Sequence, residues 1–91
     1  MTHKMINNDK HADLIQRIAQ SVMDEFLFVE IDRSTIPAIK QHISKITGIP
    51  VMYIGVIITG KSNSIRIKIF VNEHDQVSFT IGLSGSTVEE V

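Results

Sequence analysis

The chain has 91 residues, 43% hydrophobic and 21% charged, with a formal net charge of −1 and no cysteine. That length suits one small domain burying about 60 to 65% of its unfolded surface, and the missing cysteines exclude a disulfide framework and thiolate chemistry. No apolar run reaches the length of a membrane span and the polar N-terminus is unlike a signal peptide, so the expected setting is a reducing cytoplasm without a membrane partner.

Met1 to Asn8 is polar and aperiodic and reads as a flexible lead, 1–8. Asn8 or Asp9 can cap a helix, Asp13 suits its first turn, and Leu14, Ile15, Ile18, Val22 and Phe26 recur at helical spacing, which predicts a helix over about Asp9 to Glu25. From Phe26 to Ile31 the period changes to two, with Leu27, Val29 and Ile31 on one side and Phe28 and Glu30 on the other, the pattern of a strand. Ser34 is a natural N-cap, Pro37 is tolerated in the first turn, and Ile36, Ile39, Ile43 and Ile46 form one stripe of a second helix. Gly48 and Pro50 stop it.

Gly48 to Ser62, GIPVMYIGVIITGKS, is the stretch around which the rest is organised. From Val51 to Thr59 most residues are β-branched and neither alternate set holds a charge, which predicts a central strand covered on both faces. After the turn-like GKSNS, Ile65, Ile67, Ile69 and Val71 alternate with Arg66, Lys68 and Phe70; after Asn72 to Gln76, Val77, Phe79, Ile81 and Leu83 alternate with Ser78, Thr80 and Gly82. Short connections make these three runs an antiparallel meander. Ser84 to Val91 has no periodic run and reads as a flexible tail, 84–91, leaving 9–83 as the single domain. The expected class is α+β, in the order α-β-α-β-β-β. The strand–helix–strand unit would add a parallel strand to the meander, giving a mixed four-stranded sheet with two helices on one face.

The same stretch carries two other patterns. Gly55, four residues, then Gly60, Lys61 and Ser62 has Walker A spacing, but a phosphate loop needs flexible intervening residues and a following helix; Val56, Ile57, Ile58 and Thr59 and the alternation after Ser62 supply neither, so the match reads as chance. Ile43 to Pro50 followed by Tyr53, Ile54, Ile57, Gly60 and Lys61 resembles the helix-turn-helix of Cro and phage-repressor proteins, and a hairpin after it would also be Cro-like. The resemblance implies duplex DNA binding through a recognition helix over Val51–Thr59. The positions it would turn toward base edges, Val51, Met52, Gly55 and Val56, carry no side-chain donor or acceptor.

Catalytic and metal chemistry find little support. His3, His11, His42 and His74 have no ligand partners at metal spacing and read as solvated surface residues. Glu30 and Asp32 share a strand face but read as solvating charges or partners of Arg66 and Lys68 rather than an acid/base pair. No cofactor and no enzymatic activity are therefore expected. What remains is a surface. If the isoleucine face of the hairpin meets the helices, the other face presents Tyr53, Ile57 and Phe70 among Arg66, Lys68, Ser78 and Thr80, with Tyr53 and Phe70 near each other on neighbouring strands. Two helices cannot cover both faces, and an apolar patch with a basic and polar rim suits a protein interface, unless the first helix or the tail lies over it. The expected function is that of a non-catalytic binding or regulatory protein, inhibitor- or adaptor-like, acting through that face as a homodimer. Sixteen isoleucines against three leucines also fit an AT-rich, phage-like source. Aromatic residues beside Arg66 and Lys68 on an open sheet suggest single-stranded nucleic acid as another partner class.

Overall fold

A computed structural model describes residues 11–27, 29–59, 64–83 and 87–90. Helix α1, Ala12–Phe26, buries Ile15, Ile18, Ala19, Val22 and Phe26, a three- and four-residue spacing that puts them on one stripe. His11 stands at its N-cap without a side-chain cap bond, Asp13 sits in the first turn, and Gln20 donates to Asp24 one turn later at 3.0 Å. The lead 1–8 and the expected caps Asn8 and Asp9 lie outside the described residues.

The strand expected over Phe26 to Ile31 is absent among the described residues, and with it the parallel crossover. Phe26 belongs to α1 and to the core, and its carbonyl accepts from the Val29 N–H at 3.1 Å in a tight turn. Phe26 completes the apolar stripe of the helix, so the helical period claims the residue that would have opened the strand. Val29 is exposed and Ile31 packs half-buried against the core. Phe28 lies outside the described residues.

Asp32 then nucleates the second helix. Its carboxylate accepts from the Ser34 N–H at 2.9 Å and the Ser34 hydroxyl at 2.6 Å, while the Asp32 N–H donates to the Thr35 hydroxyl at 3.2 Å. This capping box holds a 3-10 turn, Arg33–Thr35, that runs straight into α2, Ile36–Thr47. The cap is therefore Asp32 and not Ser34, and Asp32 neither extends a strand nor pairs with Arg66 or Lys68. Hydrogen bonds from the Ser34 side chain and backbone, followed by those from Thr35, hold the Asp32 carboxyl below its ordinary value of 3.8. A group with a lowered folded pKa stabilises fully above its unfolded pKa, and that contribution is lost as pH falls through the folded value. Asp32→Asn is thus expected to be less stable than the native chain at neutral pH, with the two converging as the pH drops below 3.8 toward complete protonation. Denaturation midpoints measured across that range check this; a gap that stays constant with pH would show that the charge is not what stabilises the cap.

Helix α2 buries Ile39 and Ile43, with Ile36 and Ile46 packed at its margins. It stops at Gly48, whose φ of 80° is the left-handed conformation that favours glycine and whose N–H donates to the Ser44 carbonyl at 2.8 Å. Helices α1 and α2 meet where the Ser21 hydroxyl lies 2.7 Å from His42 Nε2 and the Phe26 ring stands edge-on to His42 at 5.7 Å. His42 is accordingly a half-buried tether between helices and not a solvated histidine. His11 is likewise mostly buried, its Nε2 4.0 Å from Asp75, whereas His74 is exposed.

From Pro50 the chain makes a 3-10 turn, Val51–Tyr53, before strand β1, Ile54–Ile58. The recognition helix implied by the Cro-like resemblance is thus replaced by a turn and a strand. Strands β2, Ser64–Asn72, and β3, Asp75–Gly82, come next, joined at Glu73 and His74, and β4, Thr87–Glu90, closes the sheet. The Walker-like Gly60, Lys61 and Ser62 lie outside the described residues, and the next described element after them is β2, a strand where a phosphate loop would lead into a helix. All pairings are antiparallel in the order β1-β2-β3-β4. Two expectations change here. β1 is an edge strand, not a central one, and Thr87–Glu90, expected to belong to a loose tail, pairs along β3 with Ile81 opposite Val88.

Inner-face residues Ile54 and Val56, Ile65, Ile67 and Ile69, and Val77, Phe79 and Ile81 are all buried, and they form one cluster with the stripes of both helices. The protein is therefore α+β, with two helices on one face of an antiparallel sheet.

Candidate binding face

In a strand successive side chains point to opposite faces, so the residues between the buried isoleucines define the outer surface. The register assembles it in rows. Ile57 lies opposite Arg66, which lies opposite Thr80; Gly55 opposite Lys68, opposite Ser78; and Phe70 opposite Gln76. Six of the seven residues singled out from the sequence thus share one face of three neighbouring strands. Ile57 is 60% exposed and Phe70 47%, Arg66 and Lys68 are exposed, and Ser78 and Thr80 are half-buried between them. Helix α1 buries its stripe in the inner core, so it does not lie over this face. Among the described residues neither Arg66 nor Lys68 makes an ion pair.

Tyr53, the seventh, is not on a strand. It sits in the turn before β1, where its N–H donates to the Pro50 carbonyl at 2.9 Å. The proximity to Phe70 nonetheless holds in another form, because both line an open groove of about 780 Å³ between the end of α2 and the end of β2. Ile49, Pro50, Met52 and Val71 share its walls, and Met52 is 80% exposed. Alternation alone assigns Met52 to an inward set; the turn at Val51–Tyr53 breaks that alternation and releases it to solvent. Pro50, which favours a turn or a strand start equally, is the one signal in the sequence.

Among the described residues no charged side chain is fully buried, no cluster of three His, Asp or Glu side chains could hold a metal ion, and no helix is long and apolar enough to cross a membrane. The hydroxyl–imidazole contact of Ser21 and His42 lies between the helices, away from the outer face. What the arrangement offers is exposed apolar surface with basic and hydroxyl-bearing side chains beside it.

Comparison with protein-family models, curated proteins and solved structures gives no match to this chain.

Proposed function

We propose that this is a small non-catalytic binding or regulatory protein, inhibitor- or adaptor-like, that acts in the cytoplasm as a homodimer through the outer face of its sheet. The observation that carries the reading is the exposure of Ile57 and Phe70 on a face whose opposite side is fully packed. Large exposed apolar side chains at the two ends of one rigid sheet face, with the exposed cations Arg66 and Lys68 on the rows between them, supply an area to desolvate and polar groups to orient it. The hydroxyls of Ser78 and Thr80 add hydrogen-bonding capacity beside Arg66 and Lys68.

A second reading is favoured by the rings of Tyr53 and Phe70 lining one groove, with Lys68 and Arg66 two and four residues before Phe70 on the outer face of the same strand, an arrangement on which unpaired bases could stack. The net charge of −1 disfavours it, since strand binding draws on phosphate neutralisation. The two readings separate in one experiment. The immobilised protein is exposed to lysate and the retained proteins are identified, while single-stranded oligonucleotides are titrated at physiological salt. The expected outcome is a retained protein and no saturable oligonucleotide binding. Saturable binding that weakens, with a shallower salt dependence, in the Arg66→Ser/Lys68→Ser variant would establish the nucleic-acid reading instead.

A further inference from the structure

The outer face leaves one part of the sheet unused, the free edge of β1. The bond from the Thr59 N–H to the Ser64 carbonyl, 3.1 Å, sets the phase of the β1–β2 ladder. Antiparallel ladders alternate bonded and non-bonded pairs, so Ile57 with Arg66 and Gly55 with Lys68 exchange bonds. The N–H and C=O groups of Val56 and Ile58, and the C=O of Ile54, then point away from β2. The Ile54 N–H already bonds the Val51 carbonyl. Among the described residues nothing meets the others.

Exposed strand edges are usually blunted by charge, proline or a bulge, because a bare row of donors and acceptors recruits another strand. The two edges of this sheet differ in that respect. The sequence of β4 ends in Glu89 and Glu90, whereas β1 reads Ile-Gly-Val-Ile-Ile, with no charge, no proline and an unbroken register against β2. The β1 edge is also complementary to itself. In an antiparallel pair centred on Val56, Val56 faces Val56 of the second copy, Ile54 faces Ile58, and Ile57 faces Gly55. No like charges meet, and the exposed Ile57 side chain lies over a residue that has none.

We infer that β1 pairs with β1 of a second copy of this chain, antiparallel about a twofold axis at Val56, joining the two sheets into one. This rests on the homodimer reading above and states where its contact lies. Each Val56 N–H donates to the Val56 carbonyl of the second copy and each Ile58 N–H to the Ile54 carbonyl, so four backbone bonds close the edge. The outer faces of both copies become continuous, and Arg66 and Lys68 of each flank a shared apolar centre at the two Ile57 side chains.

The chain has no cysteine, so introduced ones report on register without background. A Cβ at Gly55 meets nothing nearer than 3.8 Å, so Gly55→Cys is accommodated in the monomer, and Ile57→Cys replaces an exposed side chain. Positions 55 and 57 of opposite copies form a directly facing pair, with Cα atoms about 4.5 Å apart, inside disulfide range; two cysteines at position 57 are diagonal, about 7 to 8 Å apart. Mixing the two variants under mild oxidation is expected to give the mixed disulfide in clear excess over either symmetric product. Sedimentation of the native chain is expected to rise with concentration from 10.2 kDa toward twice that mass. A dimer by sedimentation that gives no excess of mixed disulfide overturns the β1 edge and leaves the homodimer standing. A mass that stays monomeric at every concentration overturns both.

Discussion

Phe79→Ala is expected to destabilise the protein by about 3 to 5 kcal/mol and Ile67→Ala by about 2 to 5 kcal/mol. The two residues face each other directly across β2 and β3, and both are fully buried in the cluster that joins the sheet to Ile18, Ile39 and Ile43. Truncating either leaves a cavity bounded by a sheet below and two helices above, elements that cannot collapse inward without breaking their own ladders. Domains of this size hold roughly 5 to 14 kcal/mol in total, at about 0.05 to 0.15 kcal/mol per residue. Each substitution therefore removes a large share, and the double variant should be unfolded or nearly so. Because the side chains are in contact, the losses should also fail to add. Urea denaturation of the single variants is the measurement. Losses below about half a kcal/mol at both positions would mean that the inner face is misassigned, since no fully buried Phe or Ile is truncated so lightly.

The parts of this fold that can be read from the sequence are those where side-chain period and burial agree. Ile65 to Val71 and Val77 to Leu83 alternate strictly, and both form strands with the expected parity. Ile36 to Ile46 carries a helical stripe bounded by Gly48, and the glycine adopts the left-handed conformation that stops it. The outer face follows from parity alone, which is why six of the seven residues singled out lie on it, while Tyr53 lies in the turn before β1.

The departures have physical reasons. Phe26 to Ile31 alternates, but Phe26 also completes a longer helical stripe, and a helix already underway extends at little cost. Val51 to Thr59 lacks charge, which reads as burial on both faces; periodicity cannot tell a strand buried inside its own sheet from an uncharged one at the edge. Thr87 to Glu90 is too short and too polar to show an alternation, and its place in the sheet comes from backbone pairing along β3. Asp32 looks like a charge on a strand, although Ser34 and Thr35 beside it spell a capping box. His42 borders the apolar stripe of α2 on a helical wheel, and the packing of α1 against α2 brings Ser21 and Phe26 to it.

Adjacent residues of β2 offer the sharpest contrast between fold and function, since Ile69 is fully buried and Phe70 is 47% exposed. Ile69→Glu puts a carboxylate among Ile54, Val77 and the helices with no described cation to meet it. The loss from such an unpaired buried charge is expected to be about 3 to 5 kcal/mol or more, enough with the lost packing to abolish cooperative unfolding near room temperature. Phe70→Glu changes a larger side chain by one position, yet the new carboxylate faces solvent beside Gln76 and two residues from Lys68. Its far-ultraviolet circular dichroism and denaturation midpoint should stay close to those of the native chain. Any protein partner retained by the native chain should be lost, because docking would then bury a charge where the native chain presents an exposed ring. Pairing through β1 should persist, as Phe70 lies beyond the end of that strand, opposite none of its residues. An unfolded Phe70→Glu would place the ring in the core. A folded Phe70→Glu that keeps its partner at undiminished affinity would remove the outer face from the function and leave the β1 edge as the surface through which this protein acts.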